Sequence, residues 1–426
     1  MPVIAFLECS RCNHHVTAET PQTLCPLCAG SLYVRYDMDK LKRTARRDEI
    51  AARAASSPAS LGMWRYASVL PSGTPENPVT PVTLGEGWTT MLRSKRYPGL
   101  FIKEEGANPT GTFKARGLSL AVTMAKHYGL AHLAVPSAGN AAGALAAYAS
   151  AAGISSHLFM PQDVPLANYL EAVVYGADLT MVDGLISDCA RKVAEAIAAQ
   201  KAANTPPAEV WFDISTLKEP FRVEGKKTMG YELVEQLGWT YPDAVFYPTG
   251  GGVGLIGMWK AFDEMEQLGW IQPGSKRPKM YALQAAGCAP ITRAFDQHQP
   301  ASEFFQHAAT FAAGLRVPKP YGDTIILDIL EKSGGKSLAA TDDQILASIL
   351  DWARHEGIFL SPEGAAATAA YDTLLASGEL KPTDKVILFN TGAGLKYTDM
   401  TAAAMHLHRP GTLPSSMPVG GIITPQ

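Results

Sequence analysis

Asn108-Pro-Thr-Gly-Thr-Phe-Lys-Ala-Arg-Gly117 is the stretch on which the reading of this chain turns. Pro109 and Gly111 fix a turn, and a helix starts near Phe113. Lys114 therefore sits at a helix start with apolar neighbours on both sides. An isolated lysine is ordinarily a solvated surface residue. This turn is one that a solvated helix start would not need. Partial burial lowers a lysine from its reference pKa of about 10.4 and frees its lone pair for attack on a carbonyl.

Outward from that run the chain alternates strands and helices. Strands are expected at 100–103, 132–135, 157–160, 179–182, 244–247, 280–284 and 385–389. Helices are expected from Phe113 to Tyr128 and at 141–152, 167–175, 186–200, 224–237, 255–268, 342–356 and 365–376. Such alternation implies parallel sheets with helices on both faces, an α/β fold of two doubly wound blocks around a cleft. Three further motifs follow strands. They are Ser137-Ala-Gly-Asn140, Thr249-Gly-Gly-Gly-Val-Gly254 and Asn390-Thr-Gly-Ala-Gly394. Ligands of such folds bind where strand C-termini open onto loops.

Each motif has a plain reading beside the chemical one. The glycine run could be a tight strand-to-helix turn, but its backbone N–H groups and the following helix N-terminus also suit a phosphate. It lacks the acidic residue of a dinucleotide site and the Gly-Lys-Ser/Thr of a Walker loop. Ser137 and Asn140 could simply cap a helix. Otherwise Asn140 meets a phenolate oxygen, while Ser137 and the N–H groups of Ala138 and Gly139 grip a carboxylate. Thr391 could be a strand-end turn residue, or a neutral hydroxyl facing a pyridine nitrogen. An amine, a polar turn, a phosphate cradle and a strand-end hydroxyl, in this order, are the parts that hold pyridoxal phosphate on a lysine.

Six cysteines are present, four of them as Cys9-x-x-Cys12 and Cys25-x-x-Cys28. Paired Cys-x2-Cys motifs twelve residues apart suit a tetrahedral, structural zinc site. A ribbon that has lost its metal is the alternative. His14 and His15 could compete as ligands, but the thiolate set is complete without them. Cys189 and Cys288 read as small core residues. The expected division is a zinc-ribbon-like module at 1–36, a large domain from 37–117 and 216–408, a small α/β domain at 118–215, and an extended tail at 409–426. Residues 39–56 are expected to be helical and 71–81 a Pro-rich linker.

Bulk composition excludes several classes. Lys and Arg total 37 against 40 Asp and Glu, for a net charge of -3. That gives no electrostatic case for nucleic acid or an anionic membrane as partner. From His127 to Gln162 there is no Asp, Glu, Lys or Arg, yet Pro136, Gly139, Asn140, Gly143 and Gly153 interrupt the run. A buried strand, turn and helix fit better than a membrane span. With no export signal at the N-terminus, a cytoplasmic protein is expected.

The chain resembles the threonine synthase group of fold-type II pyridoxal-phosphate enzymes (tryptophan synthase β-like). The likeness runs from the ribbon to about residue 400. It is carried by Leu84-Gly-Glu-Gly87, Asn108 to Gly117, Ser137 to Asn140, Pro220-Phe-Arg-Val-Glu-Gly-Lys-Lys-Thr228, Pro248 to Gly254, Glu356-Gly-Ile-Phe359 and Thr391-Gly-Ala-Gly-Leu-Lys396. The resemblance implies that Lys114 is the catalytic, cofactor-bearing lysine, with Phe113 near the cofactor ring and Asn140 on its ring oxygen. Gly250, Gly251, Gly252, Val253 and Gly254 would hold its phosphate, and Thr391 its pyridine nitrogen. Ser137, Ala138, Gly139 and Arg222 would bind an amino acid substrate, O-phosphohomoserine, in a homodimeric enzyme. The chain departs from that group at Ala115, Ala141, Leu217, Glu219 and Ala393. Ala141, Leu217 and Glu219 stand where substrate-phosphate ligands are common, and a carboxylate beside a phosphate dianion is repulsive. A related serine or threonine dehydratase, or a β-replacement enzyme, is therefore a second reading. A non-catalytic ribbon-bearing binding protein is a third.

Overall fold

Three sheets organise the chain, in a computed structural model that describes residues 4–56, 62–71, 73–74 and 76–407. The expected tail at 409–426 lies outside the described residues. The first sheet is antiparallel, built from β1 (Ile4–Cys9), β2 (His15–Val16) and β3 (Leu32–Tyr36) in the order β2-β1-β3. Leu32, Val34 and Tyr36 face the core, as the alternation of that strand implies. The single helix expected over 39–56 is instead two, α1 (Met38–Thr44) and α2 (Arg47–Ser56). Ala45 takes extended geometry between them and is buried.

The large sheet begins with β4 (Met91–Arg93) and β5 (Leu100–Glu104). The chain then leaves through α3 (Lys114–His127) into a four-stranded parallel sheet. That sheet holds β6 (His132–Pro136), β7 (Ser155–Pro161), β8 (Asp178–Val182) and β9 (Phe212–Asp213), joined by α4 (Asn140–Ala152), α5 (Leu166–Val174) and α6 (Ile186–Ala202). Its order is β8-β7-β6-β9. The uncharged run becomes β6, α4 and β7, and α4 is buried through its Ala-rich length. Among the described residues no helix is long and apolar enough to cross a membrane.

Helix α7 (Phe221–Gln236) returns the chain to the large sheet. There β10 (Ala244–Pro248), α8 (Val253–Gln267), β11 (Lys279–Ala285), α9 (Pro290–Asp296), α10 (Asp323–Ser333), β12 (Lys336–Ala340), α11 (Asp342–Glu356), α12 (Pro362–Ala376), β13 (Val386–Asn390) and α13 (Thr398–Ala404) follow. The order is β12-β11-β10-β13-β5-β4, parallel except for the edge strand β4. Winding runs from β10 outward to β12, then reverses to insert β13 between β10 and β5. The small sheet reverses in the same way at β6 and β9. Both reversals place strand C-termini, and the loops that follow them, at one cleft.

A fully buried ionic cluster fixes the start of α3. Arg116 makes a two-point contact with Glu105 through Nε and Nη2, both at 2.7 Å, and reaches Glu232 of α7 through Nη1 at 2.7 Å. Lys103 of β5 donates to the same Glu232 at 2.6 Å. Thr89 and Trp88 add backbone N–H donors to Glu232. Two cations and two anions are thereby neutralised without water. Removing one member leaves uncompensated buried charge. Replacement of Arg116 by Met is expected to cost about 3–5 kcal/mol, read as a lower urea midpoint. The exposed Arg191→Ala should leave the midpoint unchanged. Equal midpoints for the two variants would show that the cluster does not support the fold.

Candidate active site

Lys114 opens α3 at the edge of a cavity of about 360 Å³ between the two parallel sheets. The loop before it is laced to the loop after β13. Phe113 N donates to the Thr391 carbonyl at 3.0 Å, and Ala393 N to the Gly111 carbonyl at 2.8 Å. Lys114 and Thr391 thus reach the same cavity by backbone constraint, although they stand far apart in the chain. The Phe113 ring lies beneath the lysine, with its centre 4.4 Å from Nζ.

Across from Lys114 the turn after β10 presents Gly250, Gly251, Gly252 and Val253. Gly252 has φ 72° and caps α8. A Cβ on Gly250 would stand 2.3 Å from the Gly314 carbonyl. Only glycine permits that path, which leaves the first-turn N–H groups of α8 without intrahelical acceptors. Gly254 has another task. It lies under the Tyr247 hydroxyl and is not in the cavity wall.

The turn after β6 divides its work. Ser137 Oγ accepts from Gly139 N and Ala142 N, both at 3.1 Å, so it closes the entry to α4, whose N-cap position is held by Gly139 rather than by Ser137 or Asn140. Ser137, Ala138 and Asn140 reach the cavity, while Gly139, at φ 124°, packs against Asn168 instead. Asn140 Nδ2 donates to the Tyr397 hydroxyl at 2.6 Å, and its Oδ1 is buried without a partner.

Arg222 is fully buried and does not line the cavity. Its Nη1 donates to the Ile214 carbonyl at 2.9 Å, leaving Nε and Nη2 without partners. Glu219 is also withdrawn. Its carboxylate accepts from Phe221 N at 2.8 Å and Arg222 N at 2.6 Å, closing the first turn of α7. Leu217 adopts φ 62° and is buried, and the turn it makes leaves Lys218 facing the cavity. The carboxylate expected to repel a phosphate is therefore turned away, and a lysine stands there.

The sequence reading missed Glu363 and Tyr397. Glu363 lines the cavity, with Oε1 accepting from Gly314 N at 2.7 Å and Oε2 buried without a partner. Its position just after Ser361-Pro362, at the first turn of α12, was the available signal. Burial pushes its pKa up. Burial, aided by the Arg222 guanidinium and opposed by Glu363, brings the Lys114 amine down to about 7. The end of that side chain opens onto the cavity, but protein surrounds it.

These residues fit a phosphorylated pyridine aldehyde. A near-neutral amine faces a glycine cradle with free N–H donors, and a hydroxyl stands at the end of β13. In the N-terminal sheet, Cys9, Cys12, Cys25 and Cys28 place their sulfurs within 4.8 Å of one another. Cys9–Cys28 and Cys12–Cys28 are each 3.4 Å apart and Cys12–Cys25 3.7 Å. None is disulfide-bonded, and the spacing suits a tetrahedral thiolate site. Cys189 and Cys288 are buried core residues.

Comparison with known proteins agrees with this geometry. A family model described as "Pyridoxal-phosphate dependent enzyme" matches residues 82–392. Threonine synthase of Methanocaldococcus jannaschii is 32% identical over 384 residues, covering 88% of this chain and 89% of that relative. Threonine synthase of Mycobacterium bovis is 35% identical over 326 residues, covering 75% and 85%. Among solved structures, maize serine racemase superposes with a TM-score of 0.59 at 20% identity, covering 75% of this chain and 93% of that one. The processed form of threonine deaminase isoform 2 from Solanum lycopersicum gives 0.58 at 20% identity, covering 73% and 87%. At these identities the structures report the fold alone.

The lowered amine makes a pH dependence. Capture of pyridoxal phosphate needs the unprotonated form, and the folded state sheds that proton near pH 7 rather than near 10. With cofactor-free protein, the rate of forming the coloured covalent adduct should rise with pH around a midpoint near 7 and level off above it. The Lys114→Ala variant should form no adduct at any pH. A midpoint above pH 9 would refute the burial account.

Proposed function

The chain belongs to the pyridoxal-phosphate dependent enzyme family, and we propose that it is a lyase converting O-phospho-L-homoserine and water to L-threonine and phosphate. The observation that carries the proposal is the meeting of Lys114, the Gly250–Val253 turn and Thr391 on one cavity. Likeness to threonine synthases across most of the chain supports the same reaction.

In this reading the α8 N-terminus and its glycine turn would hold the cofactor phosphate, and Asn140 and Thr391 would hold its ring. Pyridoxal phosphate, when bound, supplies an electron sink for the carbanions of the reaction. Lys114, brought down to about 7 and so able both to hold and to release a proton near neutral pH, takes and returns the protons that move between substrate carbon atoms. The N–H groups of the Ser137–Asn140 turn hold the substrate carboxylate. Lys218 meets the distal phosphate, in place of the ligands missing at Ala141, Leu217 and Glu219. Asp213 pairs with its ammonium at 3.5 Å, and Lys218 lines the cavity. Arg222 acts from beneath the cavity, depressing the Lys114 amine rather than touching substrate. Arg316 bonds Asp163 at 2.7 and 2.6 Å, linking the segment at 313–322 to the loop after β7.

The remaining assignments belong to the same proposal. Cys9, Cys12, Cys25 and Cys28 hold a structural zinc ion. Six cysteines without a disulfide accord with a cytoplasmic setting. The exposed Leu166, Leu170 and Val174 of α5 offer a surface that a second subunit would cover.

A substrate panel with product identification tests the reaction. Threonine and phosphate should appear in equal amounts from O-phospho-L-homoserine, with little keto acid from serine or threonine. The opposite pattern would favour the dehydratase reading. Replacing Lys218 by Ala should lower kcat/KM for the phosphorylated substrate about 10- to 100-fold, chiefly through KM, as loss of one charged hydrogen bond does.

A further inference from the structure

The four-cysteine module touches the wall of the catalytic cavity. The Ala29 carbonyl, next in sequence to Cys28, accepts a hydrogen bond from the Tyr321 hydroxyl. The Arg11 guanidinium, between Cys9 and Cys12, lies 5.7 Å from the centre of the same ring. Tyr321 lines the cavity together with Leu315, Val317 and Pro318. One aromatic side chain is therefore held by the metal-binding loop at one end and forms cavity wall along its side.

The loop's own geometry sets where that carbonyl stands. Ala29 N donates to the Cys25 carbonyl at 2.9 Å, and Ala29 has φ 55°, the left-handed region that non-glycine residues rarely enter. Such a turn is stable only when its surroundings determine it. Here the surroundings are four sulfurs gathered within 4.8 Å, which thiols alone hold weakly and a bound ion holds firmly. The rest of the module is fixed independently. Tyr36 donates to Glu224 of α7 at 2.6 Å, and Tyr128 donates to the Ala18 carbonyl at 2.6 Å. Loss of the ion would then leave the sheet docked and release mainly the cysteine loop.

We infer that Tyr321 is a positioning residue through which the metal-loaded cysteine module sets the cavity wall at 313–322. The wall has other tethers, the Arg316–Asp163 pair and the Lys319–Asp323 pair. The Tyr321 contact is the one that answers to the metal site.

Hydrogen exchange on the full-length, cofactor-loaded protein tests this directly. Three states are compared: zinc-loaded, zinc-stripped, and stripped protein given Zn2+ again. Stripping should speed exchange at 313–322 several-fold, leave β13 unchanged, and be reversed by Zn2+. Zinc-loaded Tyr321→Phe, which keeps the ring and loses the hydroxyl, should show the same acceleration, and stripping it should add nothing. Where O-phospho-L-homoserine is turned over, both perturbations should raise its KM about fivefold, the size of one hydrogen bond, with kcat within about twofold. This kinetic arm rests on the proposed function, whereas the exchange arm does not. Altered exchange without turnover of that substrate would sustain the inference and reject the substrate. Unchanged exchange at 313–322 on stripping would overturn it. So would a Tyr321→Phe protein that behaves like the parent while stripping still loosens the wall. Should stripping unfold the chain, β13 exchange will report it, and the zinc-loaded Tyr321→Phe result decides alone.

Discussion

Arg116 clamped between Glu105 and Glu232 is the contact on which the site depends. It lies two residues beyond Lys114 and is inaccessible to water. A guanidinium in such a place must keep its carboxylates, because a lone buried ion costs several kcal/mol. The fork geometry of arginine also fixes direction, since two parallel bonds to Glu105 permit one orientation of the helix start. The position of the reactive lysine is thus set from below, by charge pairing, before any ligand arrives.

Helix α7 carries that constraint to the rest of the molecule. Its Glu232 completes the cluster, and its Lys226 donates to the Phe113 carbonyl and lies 4.0 Å from the Phe113 ring centre, pinning the residue before Lys114. Its Glu224 receives Tyr36 from the N-terminal sheet and pairs with Lys227 and Lys260, both at 2.6 Å. Glu219 closes its first turn, and Arg222 lies within that turn. A single helix therefore joins the cysteine module, the lysine loop and the polar turn that presents Lys218. Each of its buried ionic side chains has a fixed partner.

Much of this was legible in the chain. Strongly periodic or glycine-marked elements were found to within a few residues, and the helix expected over 342–356 has those bounds. The glycine turn and Thr391 share one cavity because each follows a strand and strand ends converge by topology, and the lysine run is tied to the Thr391 loop by backbone bonds. What escaped notice has physical reasons. Strand β12, Lys-Ser-Leu-Ala-Ala, lacks the β-branched and aromatic residues that announce a strand, and it is formed by pairing with β11. The break at Ala45 is set by tertiary packing, not by a proline or glycine. Glu219 looked like a ligand-facing charge because its sequence position gives no direction. Only the cap it makes on α7 shows where the carboxylate goes. Arg222, matched by pattern, proved to lie under the cavity for the same reason.

Two kinds of buried charge sit within a few residues of each other, and the contrast bears on how the cavity works. For Arg116 and Glu105 pairing outweighs desolvation, so Glu105 is held below the ordinary carboxylate range and Arg116 stays charged, while burial still lowers Lys103 beside them. Around the cavity desolvation wins. Lys114 falls to about 7, Glu219 rises to about 7, Arg222 falls to about 10, and Glu363 rises. Every one of these shifts moves toward the neutral form. Arg222, at about 10, keeps its charge at neutral pH but lies outside the cavity wall. In the proposed function, backbone N–H groups at two helix starts and the cavity-facing Lys218 would carry the attraction for an anionic ligand. A neutral lysine amine is compatible with that surface, whereas a protonated one would bind phosphate in the wrong place and lose its reactivity. The paired cluster supplies rigidity and the unpaired cavity supplies reactivity. The fold keeps them apart by placing the first beneath the start of α3 and the second above it.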